Sequence, residues 1–132
     1  MLPDTAPPVS RQRAVKLDAD GTLTLQLNDK TWDAPKAGQV LVKIEASPIN
    51  PSDLGLLFAS ADTENAVYTP GKIVAQIPAN ATRAMKARHG MAMPAGNEAA
   101  GTVVAAGEGA EGLLGQRVAC VPGSAYASYA YA

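Results

Sequence analysis

The chain of 132 residues has one cysteine, Cys120, and one histidine, His89. A single thiol excludes an internal disulfide framework. A catalytic zinc wants three protein ligands of the His, Cys or carboxylate type, and Cys120 and His89 have no partner at ligand spacing. Charge is scarce and balanced: 11 Lys and Arg stand against 12 Asp and Glu, a formal net charge of −1 at pH 7. Such a balance gives no case for nucleic acid or an acidic membrane surface as a partner. No apolar run is long enough to span a bilayer. Met1-Leu2-Pro3-Asp4 lacks the basic n-region and apolar core of a signal peptide, so a cytoplasmic protein is the expectation.

What the chain does have is punctuation. Ten prolines and twelve glycines suit many short strands joined by turns better than a helix bundle. The hydrophobic fraction of 47% supports one packed core in a chain of this length. Nothing repeats with a fixed period, which leaves a solenoid or propeller unsupported.

Residues 1–10, MLPDTAPPVS, read as a loose arm. Strand-like runs follow at Arg11–Leu17 and Thr22–Leu27, joined by Asp18-Ala19-Asp20-Gly21 as a hairpin turn. Asn28–Gln39 reads as a loop, in which Trp32 plugs one end of the core. Val40–Glu45 alternates as a strand. The Ser47-Pro48-Ile49-Asn50-Pro51 corner then opens a short helix with Asn50 at N-cap, Pro51 at N1 and Asp53 at N3. Ala59–Gly71 is loop-like, and Lys72–Ile77 alternates as a strand. Asn80–Gly90 reads as a helix with Asn80 as N-cap, an Ala81, Ala84, Met85 stripe and Gly90 as C-terminal stop. Its Arg83, Lys86, Arg88 and His89 form either a solvated face or an anion contact. Ala99–Ala106 and Gln116–Val121 are strands. Ala125–Tyr131 starts a last alternating run that breaks off without a turn signal.

Three sites can be weighed on local pattern alone. Gly107-Glu108-Gly109-Ala110-Glu111-Gly112 matches G-x-G-x-x-G after a strand, but a dinucleotide fingerprint must open a helix. A turn into another strand follows here, and two glutamates in the loop repel phosphate. A hairpin connection is the expected role. Gly123-Ser124-Ala125 does not make G-x-S-x-G, so serine hydrolysis has no support. Cys120, in Arg-Val-Ala-Cys-Val, reads as a buried, inert thiol inside a strand.

Taken together, VLVKIEASPINPSD at 40–53, PAGNEAAGTVVAAG at 94–107 and LGQRVA at 114–119 resemble the medium-chain dehydrogenase/reductase superfamily. Their order and spacing match its N-terminal catalytic domain. The resemblance implies a mainly β fold, a GroES-like partly open β-barrel with a few short helices. It covers residues 11–132, with 59–93 as a longer insertion than most members carry. Zinc-dependent members place a Cys in the corner where this chain has Asn50, and Gly-His-Glu where it has Gly96-Asn97-Glu98. With no metal ligand at either place, the Asn50-Pro51-Ser52-Asp53 corner looks like the zinc-independent quinone oxidoreductase and enoyl reductase branch.

That resemblance implies an NADPH-dependent, zinc-independent reductase of quinones, enones or enoyl thioesters. Asn50 is the expected catalytic and cofactor contact, and Tyr68 a candidate proton donor. Tyr126 is expected to line the nicotinamide side, on the strand after LGQRVA. Asn97 and Glu98 match the pocket edge, with a purely structural role equally open. The family's Rossmann cofactor domain follows this domain and is not in these residues. The chain is therefore expected to be an N-terminal fragment, inactive by itself and weak in NADPH binding. Its partner is a small carbonyl or quinone substrate. The family dimerises through the cofactor domain, so any homodimer belongs to the longer protein. The competing expectation is a stand-alone GroES-like binding or co-chaperonin-type module without catalysis.

Overall fold

The computed structural model describes residues 10–132. The expected N-terminal arm, residues 1–10, lies outside them except for Ser10. Among the described residues the architecture is mainly β, with two sheets, a few short helices and no closed barrel. The strands are β1 (Ser10–Leu17), β2 (Thr22–Lys30), β3 (Val40–Ala46), β4 (Val67–Thr69), β5 (Lys72–Gln76), β6 (Ala92–Pro94), β7 (Ala99–Ala106), β8 (Arg117–Cys120) and β9 (Tyr129–Tyr131). Two α-helices, α1 (Pro51–Leu57) and α2 (Ala79–Ala84), accompany them. One sheet has the order β4-β5-β2-β1-β6 and the other β8-β7-β3-β9. The chain packs as two compact units.

The first unit comprises residues 10–12 with Asp29–Pro48 and Gly96–Ala132, and it holds the four-stranded sheet. β3 is its spine, antiparallel to β7 on one side and to β9 on the other. The alternation expected of β3 gives way at its start, where Val40, Leu41 and Val42 are all buried. A central strand covered on both faces needs apolar side chains in succession. Val40 and Val42 pack with Val103, while Leu41 packs with Ala105 and Trp32. Trp32 is 1% exposed. Tyr131 meets its ring edge-on at 5.1 Å between centroids, so the indole plugs this core as expected.

The Gly107–Gly112 loop links β7 to β8, which pair antiparallel. It runs into a 3-10 turn, Glu111–Leu113, and not into an α-helix. A Cβ on Gly107 would run into the Lys36 carbonyl. Gly107 N–H donates to the Gln39 carbonyl, and Gly38 N–H to that of Glu108, each at 2.8 Å. The first glycine of the fingerprint-like run thus lets two backbone segments approach closely.

The second unit, Arg13–Asn28 and Ile49–Ala95, holds most of the five-stranded sheet. The expected hairpin closes through Gly21 N–H to the Asp18 carbonyl at 3.0 Å and Asp18 N–H to the Thr22 carbonyl at 2.9 Å. Leu23 and Leu25 of β2 are buried, as are Ala75, the partner of Leu23, and Ile77 just beyond β5. β2 runs on to Lys30, three residues beyond its expected end at Leu27. The short strands β4 and β6 were not legible as strands, because three residues carry too little alternation.

The expected Asn80–Gly90 helix is corrected. Pro78 is the N-cap, since its carbonyl accepts the first helical bond from Thr82 N–H at 2.9 Å. The buried residue is Thr82, whose hydroxyl donates to the Ile77 and Pro78 carbonyls at 3.2 and 3.1 Å. After Ala84 the backbone tightens into a 3-10 turn, Lys86–Arg88. The last run is corrected too: only Tyr129–Tyr131 is a strand, and Tyr126 lies in the bend before it.

Candidate functional site

The corner after β3 has the local structure its residues dictate. Asn50 is extended, with φ −87° and ψ 156°, and Pro51 opens α1 where its missing N–H costs nothing. Asp53 is 2% exposed, and its Oδ2 accepts from Asn50 N–H at 2.8 Å. With the Asn50 side chain facing Asp53 N–H, the two residues form a capping box. Asp53 N–H also donates to the Asn50 carbonyl at 3.0 Å, so the Asn50 amide is not needed as its only acceptor. The far end of α1 receives a cation: Arg88 Nη2 donates to the Leu56 carbonyl at 3.4 Å. Part of the basic segment therefore complements the C-terminus of α1. His89 lies in the same segment, its Nε2 2.9 Å from the Thr82 carbonyl. Tyr68, also in this unit, is 59% exposed on β4, and its hydroxyl donates to the Thr63 carbonyl at 2.8 Å.

In the first unit, three loop segments are tied together. Tyr126 Oη donates to the Pro48 carbonyl at 3.0 Å. Ser47 Oγ donates to the Glu98 carbonyl at 2.6 Å, and Ala125 N–H to the Gly96 carbonyl at 3.0 Å. Gly96 has φ +96°, and a Cβ there would lie 2.6 Å from Tyr126 N and 2.7 Å from its ring. Only glycine accommodates both constraints. Asn97, half-buried, and Glu98, exposed, follow directly, so the expected pocket-edge motif sits inside this clasp.

Beside the clasp lies a cavity of about 610 Å³, lined by Ala46, Ser47, Pro48, Glu98, Ala99, Ala100, Ala119, Cys120 and Val121. Its size falls in the range of small-molecule pockets. Ala46, Ala100 and Ala119 are cross-strand partners on β3, β7 and β8, and their short side chains leave the space open. Cys120 is half-buried here, at the end of β8, and not enclosed in a strand interior as expected. Burial raises its thiol pKa, which keeps it protonated and poorly nucleophilic near neutrality. The cavity escapes sequence reading because three alanines come from three separate segments. The one signal is that small residues recur at facing ends of predicted strands.

The residues expected at the site fall into both units. Asn50 and Tyr68 belong to the second, while Asn97, Glu98 and Tyr126 belong to the first. Among the described residues no group of three or more His, Cys, Asp or Glu side chains is placed to hold a metal. Asn50 and Asn97 stand where the resemblance puts zinc ligands, and neutral amides do not fit that donor set. The loop at Gly107 does not fit a dinucleotide pyrophosphate either, since the Lys36 carbonyl occupies the approach to its backbone.

Residues 36–131 match the model of the alcohol dehydrogenase GroES-like domain. The chain belongs to that family. The GroES-like domain is also similar to a candidate NADPH:quinone reductase from Mesorhizobium loti. That crystal structure shares 25% identity with a TM-score of 0.57, over 97% of this chain and 36% of the other. A mycobacterial protein solved with NADPH shares the fold at 20% identity and a TM-score of 0.58, over 93% of this chain and 30% of the other. The domain thus spans about a third of the length of the solved structures it matches. No curated protein matches it. The resemblance to the medium-chain dehydrogenase/reductase superfamily holds, as does the mainly β, partly open fold it implied. Among the described residues no helix is long and apolar enough to cross a membrane.

Proposed function

We propose that this GroES-like domain is the substrate-side domain of an NADPH-dependent, zinc-independent oxidoreductase that reduces quinones, enones or enoyl thioesters. The observation that carries the reading is the Asn50 corner. A buried Asp53 fixes the backbone of an amide residue at the position where zinc-dependent relatives carry a thiolate. The likeness to a candidate NADPH:quinone reductase supports the same chemistry. NADPH, when bound, would supply the hydride, and Asn50 and Tyr126 are the residues of this chain proposed to contact it.

The chain's own part is polarisation. The Asn50 amide, standing where the resemblance puts a zinc ligand, donates a hydrogen bond to the substrate carbonyl oxygen. That bond strengthens as negative charge develops there, which is what lowers the barrier. Asn97 and Glu98 edge the substrate pocket, and the Tyr126 ring borders the cofactor side while its hydroxyl braces Pro48. Tyr68 is the candidate proton donor, which requires its hydroxyl to leave Thr63. The test is NADPH oxidation with 1,4-naphthoquinone by the reductase carrying this domain. Asn50→Ala is expected to lower kcat with little change in the KM for NADPH. Unchanged kcat removes Asn50 from the mechanism.

A further inference from the structure

By its own sequence α1 is a weak helix. It has seven residues, of which only Asp53 and Leu57 are buried. Gly55 stands in its middle, where a Cβ would meet nothing within 4 Å. Packing does not require a glycine there, and the helix loses stability to it. The last turn holds no basic residue. The chain leaves α1 through Ala59 at φ +47°, the only positive φ outside glycine among the described residues. An L-residue is strained in that conformation, and glycine is the common choice just past a helix. The carbonyl end of α1 is therefore poorly finished from within.

Arg88 finishes it from outside. Its Nη2 donates to the Leu56 carbonyl at 3.4 Å, across 32 positions of sequence. Its Nε is buried and has no partner among the described residues. A guanidinium with a desolvated Nε is docked, not swinging in water, and its charge faces the negative end of the helix dipole. An unpaired buried donor costs stability, so stability alone is a poor account of an arginine here. The backbone behind Arg88 is fastened to the core. Arg88 N–H donates to the Met85 carbonyl at 3.0 Å, and Gly90 N–H to the carbonyl of the fully buried Leu17 at 2.8 Å. Between them His89 Nε2 lies 2.9 Å from the Thr82 carbonyl.

We propose that Arg88 is a positioning residue for Asn50. Clamped to β1 through Gly90, it holds the C-terminal end of α1, and through that short rod it sets where the Asn50 amide points. The effect on rate rests on the catalytic reading of Asn50; the clamp itself does not. Asn50 precedes Leu56 by about 9 Å along the helix axis, at roughly 1.5 Å per residue. Asp53 holds the N-terminal end through its bond to Asn50 N–H. A rod held at one end only can pivot, and a shift of about 1 Å in a catalytic group costs up to about a hundredfold in rate.

Arg88→Met tests the proposal, because it keeps an apolar stem and removes the charge, the Nη2 donor and the unpaired Nε together. Its thermal midpoint is expected to be unchanged or higher. In NMR spectra of the chain, the Asn50 side-chain amide resonances are expected to shift. The Phe58 and Ala59 amides are expected to exchange about tenfold faster, with those of Leu23 and Leu25 unchanged. In the proposed reductase, kcat for 1,4-naphthoquinone is expected to fall about tenfold at constant KM for NADPH, and to fall no further when Arg88→Met is added to Asn50→Ala. Arg88→Lys, which restores the charge, is expected to recover most of that kcat. Arg88→Gln gives the same readouts should Arg88→Met fail to fold. Unshifted Asn50 resonances overturn the clamp. An equal fall in kcat with and without the Asn50 amide overturns the positioning role. Full kcat in Asn50→Ala refutes the reductase reading instead, and shifted Asn50 resonances in Arg88→Met then leave the clamp standing.

Discussion

At the scale of single residues, Ser47, Tyr68 and Tyr126 each have a hydroxyl committed to a backbone carbonyl. Tyr126 was legible as a residue of interest, but its bond to Pro48 was not, because nothing in a sequence pairs positions 78 apart. The Gly96 that precedes Asn97 was legible only as part of the Gly96-Asn97-Glu98 motif, and the structure adds that its missing side chain makes room for the Tyr126 ring. Replacing Tyr126 by Phe keeps that ring and removes the hydroxyl. The expected loss is roughly 0.5–1 kcal/mol in urea unfolding, the net worth of one partly exposed hydrogen bond. Unchanged stability would mean that the Pro48 bond is idle. Cys120 yields a second expectation. Its pKa is raised by burial, so less thiolate is present at any given pH than in the unfolded chain. Its alkylation rate in the folded chain should still be climbing at alkaline pH after the rate in denaturant has levelled. The same shift favours the folded state below the unfolded thiol's pKa, and that contribution is lost as pH rises through the folded value. Superimposable pH profiles, folded and unfolded, would place the thiol in open solvent.

At the scale of elements, the α1 corner was the most legible part of the chain. Asn50, Pro51 and Asp53 each have one strong positional preference at a helix start, and all three agree. Replacing Asp53 by Ala removes the acceptor for Asn50 N–H, with an expected loss of about 1 kcal/mol. Thermal unfolding monitored by circular dichroism reads it, and an unshifted midpoint would show that Pro51 alone starts the helix. α2 was misread for the opposite reason. Asn80 is a good N-cap by type, but the Pro78 carbonyl and the buried Thr82 hydroxyl already fix the first turn. A local preference lost to a tertiary contact. β3 shows the same competition, because burial on both faces replaced its alternation at Val40–Val42.

At the scale of the whole molecule, the family was legible from three motifs in order, and the match over residues 36–131 agrees with it. The cavity and the division into two units were not legible, since both come from how distant segments pack. The GroES-like domain contributes a polar corner and an apolar cavity, while its glycine-rich loop is spent on packing. On the proposed reading, the chain alone is expected to show no tight, saturable binding of NADPH in a fluorescence titration. The most direct test of the central claim is kcat for NADPH-dependent reduction of 1,4-naphthoquinone, compared between the proposed reductase and its Asn50→Ala variant. A fall of about a hundredfold, the loss that follows removal of one hydrogen-bond donor to a developing oxyanion, is the predicted result. An unchanged kcat would contradict it.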